Sequence, residues 1–125
     1  MNSHRTLIIA EAGVNHAGSP QTALALVDAA ADAGADIVKF QTFNASALAA
    51  PSARKADYQQ RTTDASENQH AMLLPLELPQ SAHHHLIARA KSRGIEFLST
   101  PFDHQSLRLT GAGVVLVMVF EAKEG

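Results

Sequence analysis

Apolar positions along the chain fall into two patterns: short continuous runs and longer stretches with helical spacing. Thr6 to Ala10 is a β-branched apolar run, as expected of a buried parallel strand. A turn-like stretch, Gly13 to Gly18, follows it. Ser19 and Pro20 then supply an N-cap and a first-turn proline. Ala23, Leu26, Val27, Ala30 and Ala31 recur at helical spacing, and Gly34 stands where a C-terminal cap belongs. Asp36 to Thr42 reads as a second strand, which completes a βαβ unit. Asn44 to Thr63 is polar and shows little periodicity, as expected of a long loop. Ser66 to Gln69 has the form of a capping box for a short helix that Pro75 must end. A further helix is expected from about Ser81 to Arg93, with Leu86, Ile87 and Ala90 inward and Gly94 as its stop. Ile95 to Ser99 reads as a third strand, and Thr100 to Asp103 as the turn out of it. A short helical stretch through Leu107 and Leu109 leads to the apolar run Val114 to Phe120.

Alternation of this kind predicts an α/β fold with a parallel sheet. Length then narrows the choice. The chain has 125 residues, whereas a complete (β/α)₈ barrel needs ~200 or more. A barrel reading therefore makes this chain part of a barrel. Apolar residues make up 46% and charged residues 18%, a globular composition. A net charge of −2 gives no reason to expect nucleic acid or an acidic membrane as partner. Cysteine is absent, which removes disulfides, thiolate nucleophiles and cysteine-based zinc sites and suits a reducing cytoplasm. No apolar run approaches the ~20 residues that span a bilayer.

Ligands of parallel α/β folds bind at the carboxyl ends of the strands. That rule selects Glu11, with Asn15 and His16 behind it; Lys39, Gln41 and Thr42; and Ser99 and Thr100. Lys39 lies between Val38 and Phe40, so it points to the opposite strand face from both. A cation there suits a carboxylate or phosphate. From the residues alone, Glu11 is open between a catalytic role, a helix cap and an ion pair with Lys39. Gln41 and Thr42 are open between site residues and ordinary loop-entry residues. The hydroxyls of Ser99 and Thr100 read as satisfying local backbone, and His16 reads as structural. His83, His84 and His85 lie on a helix about 100° apart, so they cannot share one metal and read as a solvated or half-buried surface. The chain has no P-loop, no GxGxxG fingerprint and no G-x-S-x-G elbow.

Four motifs in order carry a resemblance. Ile8 to Ser19, Ala33 to Thr42, the stretch through Ala56 to Gln59 with Gln69, Met72 and Leu76 to Leu78, and Gly94 to Asp103 are similar to segments of sialic acid synthases. That family comprises N-acetylneuraminate synthases and their legionaminate and pseudaminate relatives. The likeness covers residues 7 to about 109. It implies the first half of a (β/α)₈ TIM barrel and a condensation of phosphoenolpyruvate with an N-acyl amino sugar of the N-acetylmannosamine type. By the same resemblance, Glu11 is the glutamate near C2, Lys39 holds phosphoenolpyruvate, Gln41 faces the sugar, and Thr100 and Phe102 wall the pocket. Tyr58 falls in the matching loop without a role. A divalent metal, Mn²⁺ or Mg²⁺, is implied for the family, with ligands from later strands that this chain does not contain. A homodimer is implied as well.

The resemblance stops near Leu109. The tail, residues 110–125, contains Lys123 but not the Ser-Gly-Glu stretch that follows the family's fourth-strand lysine. Residues 1–109 thus read as barrel and 110–125 as a divergent tail. A truncated or frameshifted product, inactive by itself, is the expectation. Another phosphoenolpyruvate-dependent sugar acid synthase, or a non-catalytic remnant that needs a complementing fragment, are the alternatives.

Overall fold

The computed structural model describes residues 5–48 and 68–109. In chain order these form β1 (Ile9–Gly13), α1 (Pro20–Asp32), β2 (Ile37–Thr42), a single turn α2 (Ala45–Leu48), helical residues 68–73 running into a 3₁₀ turn (Leu74–Leu76), α3 (Gln80–Ser92), β3 (Glu96–Pro101) and a short α4 (His104–Leu109). The strands form one parallel sheet in the order β1-β2-β3. Strand–helix alternation with sequential parallel pairing is how a (β/α)₈ barrel begins. Four expectations lie outside the described residues: the loop around Tyr58, the start of the capping box at Ser66, the run Val114 to Phe120, and Lys123.

Local chemistry explains the helix ends. Ser19 caps α1, its Oγ accepting a hydrogen bond from the Thr22 N–H at 3.2 Å, with Pro20 at the first helical position. Gly18 approaches the 3₁₀ turn so closely that a Cβ there would lie 2.2 Å from the Pro75 carbonyl oxygen. Only glycine fits, and its φ of +76° asks for glycine as well. On α4, Asp103 acts as the cap: Oδ1 accepts from the Ser106 N–H at 2.8 Å, and Oδ2 from the Ser106 hydroxyl at 2.8 Å.

α1 and α3 cover one face of the sheet. Ala23, Val27 and Ala30 of α1 and Ala82, Leu86 and Ala90 of α3 bury against Val38 and Phe40 of β2. The Phe40 ring stacks on Phe97 at 5.6 Å. Each large apolar side chain buried here contributes roughly 1.5–3 kcal/mol. At the helix ends Arg93 pairs with Asp28 and Asp32, and Arg89 with Asp28. These exposed pairs fix the helix register more than they add stability.

Two element boundaries and two core assignments differ from expectation: the run read as a buried strand leaves Leu7, Ile8 and Ile9 exposed. β1 starts at Ile9, three residues later than the apolar run, and contains Glu11 instead of ending before it. Pairing sets this boundary: Ile9 faces Ile37, while Asp36 ties down the residue before the strand through the Ile8 N–H at 2.9 Å. β3 extends to Pro101 because Gln41 and Thr42 pair with Thr100 and Pro101, so Thr100 is a strand residue and not part of a turn. Ile87, expected inward, is 48% exposed, since the helix face that meets the sheet centres on Leu86 and Ala90.

Candidate active site

Sheet geometry sorts the candidate residues onto one face. Val38 and Phe40 face the helices, and Phe97 packs with them. By the period-2 alternation of strands, Lys39, Gln41, Leu98 and Thr100 face the other way. The pairing register aligns them in rows. Glu11 opposes Lys39, which opposes Leu98; Gln41 opposes Thr100. In a barrel this face is the interior, and these rows stand at its carboxyl-end rim.

Lys39 is the centre of the group. Its side chain is only 7% exposed, and Nζ lies 2.8 Å from Glu11 Oε2. Glu11 is 45% exposed, so one end of the pair meets solvent. The ion pair that the residues left open is therefore formed. It places a nearly buried cation beside a carboxylate that solvent reaches. A bulge shapes the rim: pairing steps from Glu11 directly to Gly13 against Lys39 and Phe40. Gly13, at φ +54°, sits between two candidate side chains. A Cβ there would lie 3.3 Å from Glu11 Oε1 and 3.9 Å from Gln41 Nε2. Sequence reasoning treated Gly13 only as the start of a turn; a small residue two places after a rim carboxylate was the available signal.

Thr100 Oγ1 is buried and has no hydrogen-bond partner among the described residues. It does not satisfy local backbone, as the sequence suggested, and an unpaired buried hydroxyl is costly unless something supplies its bond. Ser99 departs from that reading too, its Oγ meeting Thr42 Oγ1 across the strand pair. Phe102 follows β3 with its N–H bonded to the Thr42 carbonyl at 3.0 Å and its side chain 51% exposed. Asp103 extends the same join, its Oδ2 accepting the Asn44 N–H at 2.6 Å. Burial would raise the Asp103 carboxyl, but the hydrogen bonds from Ser106 and Asn44 together outweigh it and hold it below the usual range. Glu77 accepts the Ala45 N–H at 3.0 Å and anchors the start of α2.

Behind the sheet lies a second polar group. His83 is 5% exposed, not solvated, and its Nε2 lies 3.0 Å from Thr42 Oγ1. His84 and His85 are exposed, so the three histidines share no face. His16 is buried against Phe40 at 6.1 Å, its Nδ1 accepting the Gly18 N–H at 2.9 Å. The Gly18 bond fits the structural reading of His16, and its Nε2 is buried without a partner among the described residues. Burial lowers the pKa of both imidazoles, and His83 lowers that of His16 further.

A sequence model described as the NeuB family matches residues 26–117. The chain belongs to the NeuB family. The match runs past Leu109 into the apolar run that follows it. Among curated relatives, the N,N'-diacetyllegionaminic acid synthase of Campylobacter jejuni serotype O:2 is 52% identical over 105 residues, 84% of this chain and 31% of the relative. The enzyme of the same name from Legionella pneumophila is 50% identical over 106 residues, 85% of this chain and 30% of the relative. The N-acetylneuraminic acid synthetase of Leptospira borgpetersenii, solved with citrate, superposes with a TM-score of 0.64 at 30% identity, over 84% of this chain and 33% of that one. This NeuB-family chain thus spans about a third of the length of these relatives. Its α/β sheet is the first part of their barrel-type fold. Among the described residues no helix is long and apolar enough to cross a membrane. Nor, among them, does any group of three or more His, Cys, Asp or Glu side chains come together to hold a metal ion. The described residues therefore do not fit the divalent metal that the resemblance implies.

Proposed function

We propose that this chain carries the phosphoenolpyruvate-binding rim of a nonulosonic acid synthase. In the reaction, C3 of the enol attacks the open-chain aldehyde of an N-acyl amino sugar. Water adds at C2, and phosphate leaves from the tetrahedral intermediate. Lys39 holds the anionic phosphoenolpyruvate. Glu11, beside it, stands near C2 where water adds. Gln41 meets the sugar, and Thr100 and Phe102 line the pocket. The observation that carries this reading is the buried ammonium of Lys39, paired at 2.8 Å with a half-exposed carboxylate, in a row with the unpartnered Thr100 hydroxyl. A nearly buried cation paired with a half-exposed carboxylate is a costly arrangement in a purely structural sheet, and a cation at a strand end suits an anionic ligand.

The 50–52% identity to two legionaminic acid synthases favours a legionaminic-type product over N-acetylneuraminate or another sugar acid. The acceptor is then a di-N-acylated amino sugar. A cytoplasmic location and the family's homodimer belong to the same reading, and the absence of cysteine suits a reducing compartment.

Titration of phosphoenolpyruvate into the 125-residue chain, followed by calorimetry, tests the proposal. Saturable binding is expected, and Lys39→Met should weaken it by roughly tenfold or more, the worth of one charge-assisted bond. Absence of binding, or equal binding by the variant, overturns the reading.

A further inference from the structure

Each candidate residue at the ends of β2 and β3 has a polar neighbour on the opposite side of the sheet. Gln41 and Thr100 pair across the inner face. The adjacent residues Thr42 and Ser99 point to the outer face, where their hydroxyls are in contact. His83 completes the chain, with Nε2 3.0 Å from Thr42 Oγ1. All three residues are buried. His83 comes from α3, so among the described residues this is a side-chain hydrogen bond that joins the helix layer directly to the strand ends carrying the rim.

Two other ties act along the same strand ends: the Phe102 N–H to the Thr42 carbonyl, and the Asn44 N–H to Asp103. Both join the end of β2 and the residues after it to the loop that follows β3, and neither reaches α3. The imidazole makes that link. Its ring is held edge-on to Phe97 at 6.5 Å. The ring also lies by the backbone of Pro79 and Gln80, one turn earlier on its own helix, and the bond from Nε2 to Thr42 is the one that reaches the sheet. Burial of the chain removes competing water, and hydroxyl–hydroxyl–imidazole chains of this kind have a fixed geometry once each link is made.

We propose that His83 is a positioning residue. Through Thr42 and Ser99 it fixes the spacing of Gln41 and Thr100 across the inner face, and with it the fit of the bound substrate. The substrate part of this inference rests on the function proposed above; the geometric part does not.

The experiment therefore has two arms on the 125-residue chain, with His83→Leu, His83→Gln and Thr42→Val. Leucine fills the space without a hydrogen bond, whereas glutamine restores a polar atom close to the place of Nε2. In the ligand-free arm, amide exchange is followed by NMR. His83→Leu and Thr42→Val should speed exchange at Gln41 and Thr100 by roughly 2–10-fold, the worth of one hydrogen bond, with Ala10 and Val27 unchanged. His83→Gln should return them to the parent values. Unchanged exchange at Gln41 and Thr100 in Thr42→Val overturns the proposal, and that variant decides the matter if His83→Leu does not fold. Equal behaviour of the leucine and glutamine variants also overturns it, because bulk alone would then suffice. In the second arm, phosphoenolpyruvate affinity should fall about fivefold in His83→Leu and Thr42→Val and be regained in His83→Gln. If the parent chain binds no phosphoenolpyruvate, the functional reading fails while the exchange arm still decides the role of His83.

Discussion

The ammonium of Lys39 and the carboxylate of Glu11 are unequally placed, and that inequality has consequences for each. Removing Glu11 leaves a nearly buried cation without its partner. Removing Lys39 leaves a carboxylate that water already reaches. Glu11→Ala should therefore lower stability by about 2 kcal/mol, less than the roughly 3–5 kcal/mol of a fully buried broken pair because solvent screens this one. Lys39→Met should be neutral or stabilising, since an apolar side chain of similar length fills the same space without desolvating a charge. Chemical denaturation of the two variants beside the parent checks the order. A Lys39→Met variant less stable than Glu11→Ala would show that the pair is structural first. The candidacy of both residues was legible in the sequence, because a lysine between Val38 and Phe40 must point away from the apolar face. Their contact was one of the readings left open for Glu11, since it depends on how β1 registers against β2. The unpaired Thr100 hydroxyl was out of reach, because whether a buried hydroxyl finds a partner is decided by neighbours far away in the chain.

At the scale of elements, α1 shows how far local signals carry. Ser19, Pro20 and Gly34 bracket the helix, and the structure places its start and end accordingly. Ser19→Ala should cost about 1 kcal/mol, the usual worth of an N-cap side chain. Gly18, one residue earlier, should be far less tolerant. Alanine there must both adopt an unfavourable positive φ and displace the Pro75 backbone. Thermal melts should show a larger drop for Gly18→Ala than for Ser19→Ala; the reverse order would mean that the 3₁₀ turn moves aside freely. The cap signal is written within four residues and can be read directly. The close approach to Pro75 joins segments more than fifty residues apart, and nothing near Gly18 announces it. The shift of β1 from Thr6 to Ile9 has the same origin: hydrophobicity marks a region that can be a strand, but the partner's hydrogen bonds choose its ends.

For the molecule as a whole, the two buried imidazoles predict an acid-sensitive fold. Both histidines titrate below 6.5 in the folded protein, first because of burial. As pH falls through the unfolded value of 6.5, the unfolded chain takes up protons that the folded one does not, so stability declines. The thermal midpoint should thus fall between pH 7.5 and 5.5. His83→Gln, which cannot titrate, should flatten that slope; an unchanged slope would place the sensitivity elsewhere. Asp103 acts in a separate window: its lowered pKa adds stability above the ordinary carboxylate value of 3.8, which is lost as pH falls through the folded value. A groove of about 440 Å³ between α3 and the outer edge of β3 is lined by Ile87, Phe97, Leu98 and Leu109, with His83 and Ser99 in its wall.

The α/β class and the strand–helix alternation followed from pattern alone, because period-2 and helical spacing are local; the barrel followed from the resemblance, and the rim candidates from the rule that ligand sites of parallel sheets lie at strand carboxyl ends. The reading of the triple histidine holds for His84 and His85, which are exposed, and fails for His83, which is buried. His83 stands three and seven residues before Leu86 and Ala90, on the face that helical spacing turns inward. Packing on the sheet then brings its imidazole to Thr42, behind the strands that carry Gln41 and Thr100. The chain encodes the chemistry of each side chain locally; which side chains meet is settled by register and layer packing, which are long-range.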